Sequence, residues 1–156
     1  MIISGKSYSG VMFSGIAPYP LVISKNTDAK MIYGIEMNPF AHEYAEENLI
    51  LNKVDNIKLF LGDVNYVLPK INRKFDRILM PLPKGAGAFL DIALSKIKKN
   101  GIIHFYDFLD KKDIPGLAVE KIKKVCYGKK FKILNVVKCG QYSPGKYRVC
   151  VDFRIL

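Results

Sequence analysis

Tryptophan is absent from this 156-residue chain, and cysteine and histidine are scarce, at three and two copies. Cys126, Cys139 and Cys150 are odd in number and form no Cys-x-x-Cys pair. They therefore support neither a disulfide framework nor a zinc site, and reduced, packed thiols with no bound metal are expected. No apolar run approaches the roughly 18 residues a membrane span requires, and the first six residues lack the charged-then-apolar order of a signal peptide. A soluble, cytoplasmic protein with no membrane partner is expected. No Ser–His–Asp order, paired-carboxylate site or Walker loop is present. His104 sits inside the apolar run Ile102-Ile103-His104-Phe105 and reads as a structural histidine, and His42 reads as solvated.

Acidic residues are also in short supply, 14 against 25 Lys and Arg, for a formal net charge of +11. The excess is uneven. Residues 1–66 carry 5 basic and 7 acidic groups, whereas residues 111–156 carry 12 and 3. A basic C-terminal third suits a polyanion, because each phosphate neutralised by Lys or Arg releases a counterion. Nucleic acid is the natural candidate, and a solubilising surface is the bland alternative.

What is plentiful is alternation of short apolar runs with longer amphipathic ones, the mark of βα units around a mostly parallel sheet in one domain, residues 1–156. Strands are predicted at 8–13, 31–36, 57–61, 76–80, 102–106, 131–137 and 147–155. Helices are predicted at 17–26, 38–51 (capped by Asn38, with Glu43, Glu46 and Glu47 toward the positive end of its dipole), up to Pro69, and from Phe89 to a stop at Asn100-Gly101. A last helix is predicted at 114–126. Five βα-type strands followed by a hairpin give a doubly wound α/β sheet of seven strands.

In such sheets ligands sit at the carboxyl ends of the strands near the switch in strand order. After strand one, Gly15 in Phe13-Ser14-Gly15-Ile16-Ala17-Pro18 lets the backbone approach a ligand, although a simple tight turn reads equally well. Glu36 ends strand two, 21 residues on, the spacing at which an acidic group receives ribose hydroxyls; a surface carboxylate is the alternative. Asp63 follows strand three and suits an adenine amino group, a helix cap, or both. Met80-Pro81-Leu82-Pro83-Lys84 ends strand four, and its prolines fix a loop that leaves carbonyls open to a flat base, or that merely stops the strand.

Taken in order, Met12 to Pro18, Ile35-Glu36-Met37-Asn38-Pro39, Glu47 to Asn52, Gly62-Asp63-Val64, Met80 to Lys84, Gly101 to Tyr106 and Tyr142-Ser143-Pro144-Gly145 resemble the tRNA guanine-N1 methyltransferases of archaea and eukaryotes and their wybutosine-pathway relatives. The resemblance runs from about residue 8 to 156. It implies a class I methyltransferase-like sheet with a C-terminal β-hairpin, and S-adenosyl-L-methionine held by Phe13, Gly15, Ile16, Ala17, Pro18, Glu36, Met37, Asp63, Val64 and Met80. It implies that Pro81, Leu82 and Pro83 face the target base. The expected partner is tRNA, met by Lys84, Lys121, Lys124, Lys129, Lys130, Tyr142 and Lys146.

The family usually has Asp at Val11, often Asn at Pro81, and Gly at Ala17. It also carries an RNA-recognition region and a glutamate base upstream of strand one, where this chain has about seven residues. A separate subunit or a missing N-terminal region is therefore expected to supply them. Methyl transfer to guanine N1 is the leading expectation; a noncatalytic RNA-binding or partner module and an aminocarboxypropyl transferase are the alternatives.

Overall fold

The computed structural model describes residues 7–82 and 85–156. The strands β1 (Tyr8–Met12), β2 (Met31–Glu36), β3 (Ile57–Leu61), β4 (Phe75–Met80), β5 (Ile97–Asp110), β6 (Phe131–Ser143) and β7 (Lys146–Ile155) form one sheet in the order β3-β2-β1-β4-β5-β7-β6. The first five are parallel, and β7 lies antiparallel between β5 and β6. The seven predicted strands are all present. The switch in strand order falls between β1 and β4, so the crossovers leave these strands in opposite directions and open a crevice at their carboxyl ends.

Side chains alternate across the sheet and create two apolar layers. Met12, Ile35, Met80, Phe105 and Phe153 point to the face covered by α3 (Val64–Lys70), α4 (Leu90–Lys96) and α5 (Gly116–Val125). Val11, Ile32 and Leu79 point to the face covered by α1 (Pro18–Asn26) and α2 (Pro39–Leu51). The Asn38 side chain caps α2 as predicted, accepting from the Phe40 N–H at 3.0 Å. Glu43, Glu46 and Glu47 lie beyond its first turn, which holds no acidic residue, so they gain little from the dipole there.

Three boundaries differ from expectation. The fourth predicted helix stops at Lys96, and Ile97 already pairs with Phe75 as strand. Asn100-Gly101, which reads as a helix stop, makes an irregularity inside β5, where the register jumps between Phe75 and Arg77. Glycine is needed there because a Cβ at Gly101 would lie 2.7 Å from Ile97 Cγ1. The last helix begins at Gly116, two residues later than predicted. The hairpin strands run on to Ser143 and back from Lys146, with the turn confined to Pro144-Gly145; three register shifts in β6 disguise its alternation.

Between β4, β5 and β7 lies a polar set within the sheet: Arg77 bonds His104 Nε2, and His104 Nδ1 lies 2.5 Å from Asp152 Oδ1. Because the guanidinium only donates, Nε2 accepts and the ring hydrogen sits on Nδ1, facing the carboxylate. His104 is thus the structural histidine expected. The Cys150 thiol, pushed up by burial and so protonated, also donates to Asp152. These groups satisfy one another beside a guanidinium that repels cations, although His104, Cys150 and Asp152 offer ligand atoms within 4.8 Å.

Burial alone would raise the Asp152 carboxyl, but the hydrogen bonds from His104 and Cys150 and the charge of Arg77 outweigh it and hold it below its ordinary value. A depressed folded-state value means that its contribution is complete above the unfolded value of about 3.9 and is lost as pH falls through the folded one. Asp152→Asn is therefore expected to destabilise the fold by about 1–3 kcal/mol at pH 7 in urea titration. The gap should narrow below about pH 4; a pH-independent gap would contradict the assignment.

Candidate functional site

Three loops meet at the carboxyl ends of β1, β2 and β3, and backbone needs explain how. Residues 13–17 turn sharply from β1 into α1, with positive φ at Phe13 (62°), Gly15 (55°) and Ala17 (69°). Only glycine takes such angles without cost, so Phe13 and Ala17 store local strain. The turn is held by outside partners: the Ser14 N–H donates to Ile35 O at 2.9 Å, and the Asn48 amide donates to Ile16 O at 3.0 Å. Gly34 lets the turn lie close, since a Cβ there would stand 3.1 Å from Ser14 Oγ.

Glu36 is the centre of the arrangement. Its Oε2 accepts from the Gly15 N–H and its Oε1 from the Asn38 N–H, both at 2.8 Å, while its own carbonyl accepts from Gly62 at 2.8 Å. One residue thereby ties the turn after β1 to the start of α2 and to the turn after β3. Each carboxylate oxygen retains a further acceptor position. Asp63 caps α3 through Oδ1, which accepts from Asn65 N–H at 2.7 Å; its Oδ2 has no partner among the described residues. The expected cap is present, and one oxygen is left over.

The other residues expected around a cofactor fall into two groups. Gly15, Ile16, Pro18 and Met37 line the outside of the crevice with exposed or half-exposed positions, and the Phe13 ring packs edge-on against Phe89 at 4.9 Å. Met80, Val64 and Ala17 are fully buried, and the side chains of Met80 and Val64 belong to the core, so only their backbones can face a ligand. Val11 is likewise core, packed among Ile23, Ile32 and Leu79. Pro81 and Leu82 follow β4, with Leu82 against the core; Pro83 and Lys84 lie outside the described residues.

The register extends this group. Met80 is the last residue of β4 to pair with β5, opposite Phe105, and Asp107 lies two residues further along β5 on the same face as Phe105. Asp107 is buried and accepts from Lys121 Nζ at 2.6 Å. Beside it a cavity of about 530 Å³ is lined by Gly87, Asp91, Asp107, Lys121 and Lys124.

The expected RNA-contacting residues do not form one surface. Lys121 is engaged by Asp107, and Lys146 lies 3.9 Å from Asp110. Lys124 is exposed on α5. Lys129 and Lys130 precede β6 at the amino ends of the parallel strands, whereas Tyr142 and Lys146 stand at the hairpin tip beyond their carboxyl ends. The 13 residues of β6 separate the two groups by about 40 Å at 3.3 Å per residue. Sequence reasoning also passed over Asn48 and Asp107. Asn48 had a signal, an amide inside a helix where it is a poor former; Asp107 had none, because its burial depends on α5.

A crevice at a β1/β4 switch point in a seven-stranded sheet of order 3-2-1-4-5-7-6, closed by a hairpin, defines a class I methyltransferase-like fold. Residues 6–134 match the family model of the TRM5/TYW2 methyltransferase domain, and the chain belongs to that family. It is 37% identical over 146 residues to the tRNA (guanine(37)-N(1))-methyltransferase Trm5b of Pyrococcus abyssi, covering 92% of this chain and 42% of that protein. It is 31% identical over 143 residues to the tRNA(Phe) (4-demethylwyosine(37)-C(7)) aminocarboxypropyltransferase of Methanocaldococcus jannaschii, covering 90% and 57%. The crystal structure of M. jannaschii TYW2 in complex with AdoMet superposes with a TM-score of 0.87 at 29% identity over 99% of this chain and 71% of that one. The chain thus spans about half the length of the curated relatives it matches.

The strained turn yields a stability test. Ala17→Gly relieves the positive φ but loses a buried methyl group and adds freedom to the unfolded chain, so stability should stay within about 1 kcal/mol of the parent. Ala17→Val, branched at a positive φ in a filled site, should cost about 2–3 kcal/mol by urea titration. Equal effects of the two would contradict the role given to backbone strain.

Proposed function

We propose that this domain binds S-adenosyl-L-methionine in the crevice around Glu36 and transfers its methyl group to a tRNA base, guanine N1. The observation that carries the reading is the Glu36 carboxylate, which fixes the strained turn with one acceptor position per oxygen and keeps the others for ribose hydroxyls. Asp63 Oδ2 suits the adenine amino group. Similarity to a guanine-N1 methyltransferase at 37% identity, above the 31% and 34% to two aminocarboxypropyltransferases, favours methyl transfer. The bound cofactor supplies an electrophilic methyl carbon on a sulfonium.

The work of the protein is alignment. Gly15 brings backbone close to the ligand, and Pro81 and Leu82 hold the edge of the acceptor site rigid beside the cofactor turn. The guanine N1 nitrogen forms the new bond to carbon, the sulfonium leaves as a thioether, and the N1 proton departs to a base. With Pro81 in place of an amide side chain, recognition of the guanine falls to backbone groups and to other parts of the site.

Calorimetric titration with S-adenosyl-L-methionine tests this. Micromolar binding is expected, and Glu36→Ala should weaken it by about 1–3 kcal/mol, the cost of lost charge-assisted hydrogen bonds and a loosened turn. Unchanged affinity in Glu36→Ala would refute the ribose assignment. No binding by the folded parent would leave a noncatalytic RNA-binding module as the better reading.

A further inference from the structure

The last β4–β5 pair is Met80 with Phe105, yet β5 and β7 stay paired from Tyr106 through Asp110. The three strands β5, β7 and β6 therefore overhang the crevice by about 16 Å at 3.3 Å per residue. One face of this arm carries the half-buried rings of Tyr106 and Phe108 and the exposed side chains of Tyr142 and Arg148. Tyr19, in the first turn of α1 directly after the cofactor turn, meets the Tyr106 ring at 5.9 Å. Arg148 lies 5.8 Å from the Tyr106 ring and pairs across the strands with Phe108. Phe108 in turn backs the Tyr142 ring at 4.7 Å, and Tyr142 is 61% exposed. A small hollow of about 240 Å³ between Phe108, Gln141, Tyr142 and Arg148 opens beside this pair.

We infer that Tyr19, Tyr106, Arg148, Phe108 and Tyr142 form a track for single-stranded RNA, leading from the cofactor crevice to the arm tip and holding a nucleotide that flanks the target base. The inference rests on the proposed action on RNA and adds the surface that would orient it. Every base has a π-face, so an exposed ring backed by half-exposed ones accepts a base, and an exposed arginine beside it meets the adjoining phosphate. Tyr142 would be the stacking platform and Arg148 the phosphate contact, with the Gln141 amide able to donate to a base edge. Among the described residues no carboxylate lines the hollow, and Asp110, two residues beyond Phe108 on the same face, is offset by Lys146 at 3.9 Å. The occupant is therefore an anion carrying flat rings. The basic residues near Lys129 and Lys130 stand at the opposite end of the sheet and cannot substitute for it.

The test uses the full chain, tRNA transcript and a short oligouridylate, with polyphosphate of equal charge as a probe without bases. Tyr142→Ala and Arg148→Ala change exposed side chains, and each should weaken tRNA and oligouridylate binding by about tenfold without altering S-adenosyl-L-methionine affinity. Arg148→Ala should also reduce the slope of log affinity against log salt by about one. Tyr142→Phe should restore binding, which a charge-only surface would not require. With 4-thiouridine placed beside the target base, crosslinks should map to Tyr142 or Phe108. Parent-level tRNA binding in both alanine variants, or polyphosphate binding as strong as oligouridylate, would overturn the track. Failure of the parent to bind any RNA would instead overturn the reading on which it rests.

Discussion

The Glu36 carboxylate satisfies a demand that the sheet itself creates. Parallel strands ending at a switch point leave backbone amides beyond the last ladder bonds, and amides near a crevice need acceptors. Glu36 meets two of them, one in the turn after β1 and one at the start of α2, and its own carbonyl meets a third after β3. The positive φ angles of Phe13 and Ala17 persist because these bonds, with those of Ser14 and Asn48, over-determine the turn. A group that orders a binding loop while keeping acceptor positions open is preorganised for a polar ligand.

The same accounting applies to Val11 and Ala17. Val11 stands in an apolar layer beneath the crevice, where it packs with Ile32 and Leu79, and the turn is held without a carboxylate at that position. Ala17 adopts the left-handed angle that a glycine would take freely, with its methyl group fully buried. Val11 and Ala17 are both accommodated by the turn as it stands, and Pro81 follows β4 on the side of the switch point next to β5.

The overhanging arm gives the domain a second direction. The crevice lies at the ends of β1 to β4, and β5, β7 and β6 rise past it, so anything approaching the crevice from that side meets Tyr106, Arg148 and Tyr142 first. The arm is rooted by the Arg77–His104–Asp152 set, which locks β4, β5 and β7 together beneath it. Net positive charge by itself locates no surface, since the lysines of the last third are divided between the two ends of the sheet and two of them face carboxylates.

The sequence by itself determined the element order, the seven strands, and Gly15, Glu36 and Asp63 as residues at strand ends, because local periodicity and turn chemistry act over a few residues. It also marked His104 as structural from its apolar neighbours alone. It misplaced the end of α4 and the extent of β5, β6 and β7, because Asn100-Gly101 has the same local signature as a helix stop, and because bulges in β6 interrupt alternation that only pairing with β7 maintains. Only the tertiary structure decided that Met80 and Val64 turn inward, that Lys121 is neutralised by Asp107, and that Lys129 lies far from Tyr142. Each depends on contacts or strand directions between residues distant in the chain, set by the packing of the whole sheet.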